Sequence, residues 1–460
     1  MADFAEIQRS RPLNLEKAHH HHQSNSRGPH MNALYIKKSL MQTIFSMSRN
    51  PAPFVKNPGR DFTRKRSITF SDLLLFLLTM ENHSLNRELR RFFDSSEKLP
   101  PTKSALIQQR EKLNEKAFPY LFSAFNEQFE FKKTFKGYHL LAADGADVNI
   151  APYAIDLLTR VQSNSPDSPY YQLHLNAMFD ILENRYTDIL LQPRAEYDER
   201  AAFIECVDRN PLPGKCIFVA DRGYFSANVW AHLQNSGQYY VLRMPKTDFL
   251  ERFSLPEKGP YDREISISVT RSKKACHLKN PDIYWYFRPD RRFDYIPPDD
   301  KESLYMLSAR LVRIILPNGT EEYLLTNLPR TFTKKDLSKI YNLRWGIEVS
   351  FRHLKYSHGL VYLHSLRREF IYQEIYAKMI MYNFTSLLAR CVKVAYNGTK
   401  YKYQIVFSEA VATVRDFLIH RFTNQRIKEL LLHYRSEIKP DRSFPRKVRS
   451  QRYKPFHFRT

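Results

Sequence analysis

Three carboxylates, Asp144, Asp221 and Glu348, stand where metal-assisted chemistry could use them. Asp144 closes the apolar run YHLLAAD, and Asp221 closes KCIFVAD. Each run reads as a buried strand with an acid at its carboxyl end. Glu348 belongs to YNLRWGIEVSFRHLK, residues 341–355. Carboxylate oxygens are hard ligands suited to Mg²⁺, with Mn²⁺ able to substitute. Two such ions about 4 Å apart can activate water and stabilise the leaving oxygen in phosphodiester cleavage, so no covalent protein nucleophile is needed. Asp147, just beyond the first run, is the alternative to Asp144 and ranks second because the apolar residues stop at Asp144. Taken singly, Asp144 before Gly145 also suits a turn, and Asp221 beside Arg222 also suits an ion pair.

Read as one helix, residues 341–355 place Tyr341, Arg344, Glu348 and Lys355 within an arc of roughly 60°. Leu343, Ile347, Phe351 and Leu354 gather on a second arc of roughly 80°, an apolar stripe able to seat the helix on a core. Arg344 could grip a phosphate with two hydrogen bonds and Lys355 could act as a point charge. The plain alternative is an amphipathic helix whose charged face is solvated.

The elements that must position these residues follow from pattern. Residues 31–135 read as helical, with a basic, proline-interrupted approach and cap candidates Ser71, Asp72, Ser84 and Thr102. Short helices with basic residues suit a helix-turn-helix-like DNA reader, and a plain bundle equally well. After the Asp144 strand, YQLHLNAMFDI and RYTDILLQP form a hairpin, DERAAFIECVDRN a helix, and QYYVLRMP a strand following Asp221. Residues 246–334 alternate like a mainly β insertion, and REFIYQEIYAKMIMYNFTSLLARCVK is helical. The predicted division is 1–30 leader, 31–135 helical DNA-binding domain, 136–245 plus 335–390 α/β catalytic core, 246–334 β-rich insertion, and 391–460 helical region with a basic tail.

Lys and Arg outnumber Asp and Glu by 72 to 48, giving a formal charge of +24. That excess favours a polyanionic partner, nucleic acid before an anionic membrane surface. The tail from Lys439 mixes Lys and Arg with Tyr and Phe, able to neutralise phosphates and stack on bases, or simply to solubilise. Four cysteines without a CxxC pair suit a reducing compartment. The longest apolar run, LLLFLL at 73–78, is far short of the roughly 20 residues that span a bilayer. Residues 1–30, with His19–His22, resemble an added leader and lack a signal peptide's basic-then-apolar layout, so the expected location is the cytoplasm.

The runs LAADGADVNI and FVADRGYF, followed by Y-x2-R-x3-E-x6-K at Tyr341, Arg344, Glu348 and Lys355, resemble the insertion sequence four family of bacterial DDE transposases over about residues 31–430. The resemblance implies a ribonuclease H-like core with a β insertion before the Glu. It also implies metal-dependent 3′-end hydrolysis, excision through a hairpin, and strand transfer by cut-and-paste. Asp144, Asp221 and Glu348 become the ligands of two Mg²⁺ ions, and Tyr341, Arg344 and Lys355 contacts to the transposon end. Trp285 in IYWYF becomes the candidate for stacking on a flipped base, its alternative being the insertion's own core. Implied partners are double-stranded DNA, as inverted-repeat ends and target, and a second copy of the chain in a synaptic complex near the bacterial nucleoid. Competing readings are a domesticated DNA-binding protein without cleavage, and a tyrosine recombinase with Tyr341 as nucleophile.

Overall fold

The computed structural model describes residues 31–438 apart from 65, 95–98, 154, 163–168, 247, 254, 257–258, 317–318, 393–401 and 421. The leader and the basic tail lie outside the described residues. Five helices come first: α1 (Ala33–Arg49), α2 (Phe70–Thr79), α3 (Leu85–Phe93), α4 (Lys103–Arg110) and α5 (Ala117–Asn126). Thr102 caps α4 by accepting the Ala105 N–H, and Ser84 occupies the α3 cap position without a side-chain bond. At α2 the cap moves one turn-edge earlier than the sequence suggested. Thr69 takes it, and Asp72 reaches back as the third residue of a capping box that satisfies two otherwise orphaned N–H groups.

A ten-stranded sheet follows, built from β1 (His139–Ile150), β2 (Arg160–Val161), β3 (Tyr170–Asp180), β4 (Arg185–Pro193), β5 (Cys216–Ala220), β6 (Tyr239–Met244), β7 (Tyr261–Thr270), β8 (Tyr284–Tyr286), β9 (Leu304–Ile315) and β10 (Glu321–Thr326). Its order is β2-β3-β1-β5-β6-β10-β9-β7-β8, with β4 also paired to β3. β1, β3 and β4 are antiparallel, the expected hairpin included, whereas β5 and β6 run parallel to β1. Two adjustments to the sequence reading arise here. Asp144 sits midway along β1 rather than at its end, because β3 keeps pairing from Leu141 to Ile150 and carries β1 onward. The β-rich stretch 246–334 joins the main sheet, since β10 pairs antiparallel with β6.

Period-two alternation in β1 supplies both faces of the sheet. Ala142, Ala146 and Val148 enter one core with Leu40, Leu74, Phe125, Ile347, Phe351 and Phe384. Leu141 and Ala143 enter another with Phe203, Phe218, Trp230 and Leu311. The second is covered by α6 (Glu199–Asp208) and α7 (Ala227–Asn235). Helices α1–α5 share a core with β1 by way of the long helix Arg368–Cys391, which packs on α1, α2 and α5 and on β4.

Residues 341–355 are not one α-helix. α8 (Lys334–Leu343) ends at Arg344, α9 (Trp345–Arg352) begins after it, and residues 353–357 widen into a π turn. The long α10 (Arg368–Cys391) is buried along most of its length. α11 (Phe407–Ile419), α12 (Asn424–His433) and the β11 (Lys402–Ile405) and β12 (Arg435–Ile438) pair complete the described chain. Among the described residues no helix is long and apolar enough to cross a membrane.

Candidate active site

Register brings the two aspartates side by side. β1 and β5 pair in parallel up to Ala142↔Val219, and Asp144 and Asp221 each lie two residues further on the same face. Adjacent strands are about 4.8 Å apart, so the pair stands together where β5 stops and β1 continues. The Asp144 Oδ1 accepts the Gly145 N–H at 2.9 Å. Burial pushes the Asp144 carboxyl up to about 6, with the acids Glu348 and Glu199 adding to that and the Gly145 N–H and Arg344 opposing it. Asp221 goes the other way. Burial opposes its charge, but the Arg222 N–H, the Tyr341 hydroxyl and the cations Arg344 and Arg243 hold it below the usual carboxylate range. One carboxyl is thus poised to bind or release a proton while its neighbour stays ionised.

Tyr341, at the end of α8, donates its hydroxyl to Asp221 Oδ1 at 2.8 Å. Its own pKa rises to about 12, chiefly through burial and then through that bond. α9 rests on β1 and carries Glu348, whose Oε1 accepts from Arg344 Nη2 at 3.0 Å. Arg344 is the residue at the break between α8 and α9, and only 5 % of it is exposed. Burial disfavours its charge, yet Tyr341, Asp221, Asp144 and Glu348 together hold its pKa above the ordinary value. The guanidinium serves as an internal counter-ion of the acids, its Nε lacking any hydrogen-bond partner. The sequence offered this side chain to a phosphate; in the DNA-free chain its partner is Glu348.

Three carboxylates of this kind match the all-oxygen preference of Mg²⁺. The donor chemistry fits. Yet no group of three His, Cys, Asp or Glu among the described residues is gathered closely enough to hold an ion, and Arg344 supplies positive charge there instead. Lys355 lies in the π turn. Burial lowers its pKa, opposed by the carboxylates of Asp147 and Asp144. Asp147, the alternative acid, is three residues from Asp144 and therefore on the opposite face of β1. There its Oδ1 meets His174 Nδ1 at 2.8 Å. Trp285 is not brought to the carboxylates. It sits on β8, the edge strand five strands from β5, with its ring edge-on to Phe287 at 5.0 Å and packed on the second core.

Sequence reasoning missed Arg243, His174 and Glu199. Arg243 follows the pairing Ala220↔Leu242 and so falls opposite Asp221, its Nη1 3.5 Å from Oδ1. Parallel pairing of the FVAD and YVLR runs was the available signal. His174 and Glu199 had none, because their meeting depends on how α6 covers the sheet.

Residues 136–384 match the family described as Transposase DDE domain, a span of more than half the chain that contains all three carboxylates. The chain belongs to the DDE transposase family. It is a DNA-cleaving transposase. DDE transposases generally use divalent metal ions. No curated protein matches it. Among solved structures, this transposase is similar to the piggyBac transposase synaptic complex with hairpin DNA, at 11% identity and a TM-score of 0.43, over 90% of this chain and 87% of that one.

Proposed function

We propose that this transposase acts as an insertion sequence four family enzyme, hydrolysing the 3′ strand at each transposon end, excising through a hairpin and joining the 3′-OH to target DNA. Asp144, Asp221 and Glu348 would hold two Mg²⁺ ions, which when bound activate water and stabilise the leaving oxygen. The observation that carries the reading is the register of β1 and β5, which sets Asp144 beside Asp221 under the helix that bears Glu348. The strand order β4-β3-β1-β5-β6 supports a ribonuclease H-like core. Tyr341 orients Asp221, and Arg344 holds Glu348 until a DNA phosphate competes for the guanidinium. Lys355, close to Asp147 and Asp144, would face the backbone of the same end. The charge of +24 supports double-stranded DNA as partner, with two copies of the chain pairing two ends in a synaptic complex.

A tyrosine recombinase is disfavoured by the same geometry. The Tyr341 hydroxyl is buried, donates to a carboxylate, and has its pKa raised, which are the opposite of an activated nucleophile. A non-cleaving DNA-binding protein has no use for a paired, differently titrating Asp144 and Asp221.

The test is nicking of a labelled transposon end in Mg²⁺. Asp144→Asn, Asp221→Asn and Glu348→Gln should each lower the rate by more than about a hundredfold while leaving DNA affinity within about threefold. Wild-type nicking by any of the three would remove that residue from the metal site, and a DNA-linked protein band on a denaturing gel would revive the tyrosine mechanism.

A further inference from the structure

We propose that His174 is a positioning residue for the cleavage reaction, fixing the Asp144 carboxylate through the main chain of Gly145. The inference rests on the reading of Asp144 as a metal ligand.

His174 stands on β3 directly opposite Asp147 on β1 and is 4 % exposed. Its Nδ1 lies 2.8 Å from Asp147 Oδ1, and its Nε2 lies 3.0 Å from Glu199 Oε1 on α6. The Nδ1 contact is a hydrogen bond and the Nε2 contact a close approach without hydrogen-bond alignment, and acids on both sides of the ring favour its protonated form. One imidazolium therefore ties β1, β3 and α6 together and neutralises charge on two acids. Tyr197 covers the ring at 4.9 Å, and Arg194 lies over Tyr197 at 3.7 Å and approaches Asp147 at 3.9 Å.

The clamp reaches the site through Gly145. A Cβ at position 145 would lie 2.3 Å from His174 Nε2 and 2.8 Å from Glu199 Oε1, so the ring and the acid pack directly on the glycine backbone. The N–H of that same residue holds Asp144 Oδ1. Pressure on one side of Gly145 thus sets the carboxylate on the other, and it gives the glycine after Asp144 a reason beyond turn geometry. Glu199 also acts on Asp144 electrostatically, so releasing it from His174 would add uncompensated negative charge beside the site.

The decisive measurement is single-turnover nicking by His174→Gln, read beside DNA affinity and melting temperature. The expected result is a loss in rate of about tenfold or more with DNA affinity unchanged. Adding Glu199→Gln to His174→Gln removes one stranded charge and should recover at least about threefold of that loss. Packing alone would give no such recovery. Glu199→Gln by itself, on a partly exposed helix position, should fold normally and slow nicking by a few-fold, so the idea remains testable if His174→Gln unfolds. Nicking by His174→Gln within twofold of wild type, or a double variant as slow as the single one, would overturn it. Asp144→Asn run in parallel separates the two claims, because activity in that variant would defeat the metal-ligand reading itself, whereas an inactive Asp144→Asn with a fully active His174→Gln would defeat only the clamp.

Discussion

Two charge clusters in this molecule use the same residue types to opposite ends. Arg110 on α4 and Glu374 on α10 form an ion pair at 3.1 Å with both side chains almost wholly buried. Every part of that pair is answered. Arg110 also donates to Gln373, Ser365 and the Phe370 carbonyl, and Glu374 accepts from the Ser365 hydroxyl and the His364 N–H. Around Arg344 three acids are shared with Arg243 and Lys355, the Arg344 Nε is unanswered, and one acid carries a raised pKa. A saturated cluster locks α4 onto α10; an unsaturated one retains capacity for a ligand. Between these two buried arginines the difference is one open donor on Arg344, not burial or charge.

The largest expected effect lies in the scaffold. Arg110→Ala leaves Glu374 buried without its cation and should cost about 3–5 kcal/mol in denaturant unfolding. A cost below about 1 kcal/mol would erase the contrast between the clusters.

Next comes opposite behaviour with pH. Glu374 is held well below the ordinary glutamate range despite burial, through His364 and Arg110. Its contribution is therefore present above about pH 4.5 and is lost on acidification. Asp144 is raised to about 6, so the folded state holds that proton more tightly than the unfolded chain. Its share of stability falls as pH rises from about 4 to about 6, by up to about 3 kcal/mol at roughly 1.4 kcal/mol per unit. Asp144→Asn should abolish that downward slope in unfolding curves taken across the window, and an unchanged slope would assign the titration elsewhere.

The smallest effect sharpens the role of the central guanidinium. Arg344→Ala removes the cation that stands in for a metal charge, so Mn²⁺ binding to the DNA-free transposase should tighten by about tenfold, or about 1.4 kcal/mol. Electron paramagnetic resonance titration reads this without any cleavage. Weaker or equal binding would mean that Arg344 assists the ion rather than substituting for it.

Much of this was legible in the sequence because it is encoded locally. Apolar runs ending at Asp144 and Asp221 announce strands, since a buried strand needs uninterrupted apolar residues whatever surrounds it. The β3–β4 hairpin, α6, α7 and α10 follow from turn residues and periodicity in the same way. The acidic residues and their order were likewise visible, as was the basic balance that points to DNA.

What only the tertiary structure decided depends on partners distant in the chain. The extension of β1 past Asp144 is imposed by β3, and the entry of residues 246–334 into the main sheet by β6. The break at Arg344 escapes periodicity because the apolar spacing continues through it, although Gly346, a weak helix former, lies beside it. Three acids from β1, the end of β5 and α9 draw the guanidinium inward, and that attraction exists only once the sheet has formed. His174 meets Glu199 for the same reason. Local sequence sets backbone preference and the inventory of charges, but which charges face each other is set by packing, because electrostatic energy depends on distance in space and not along the chain.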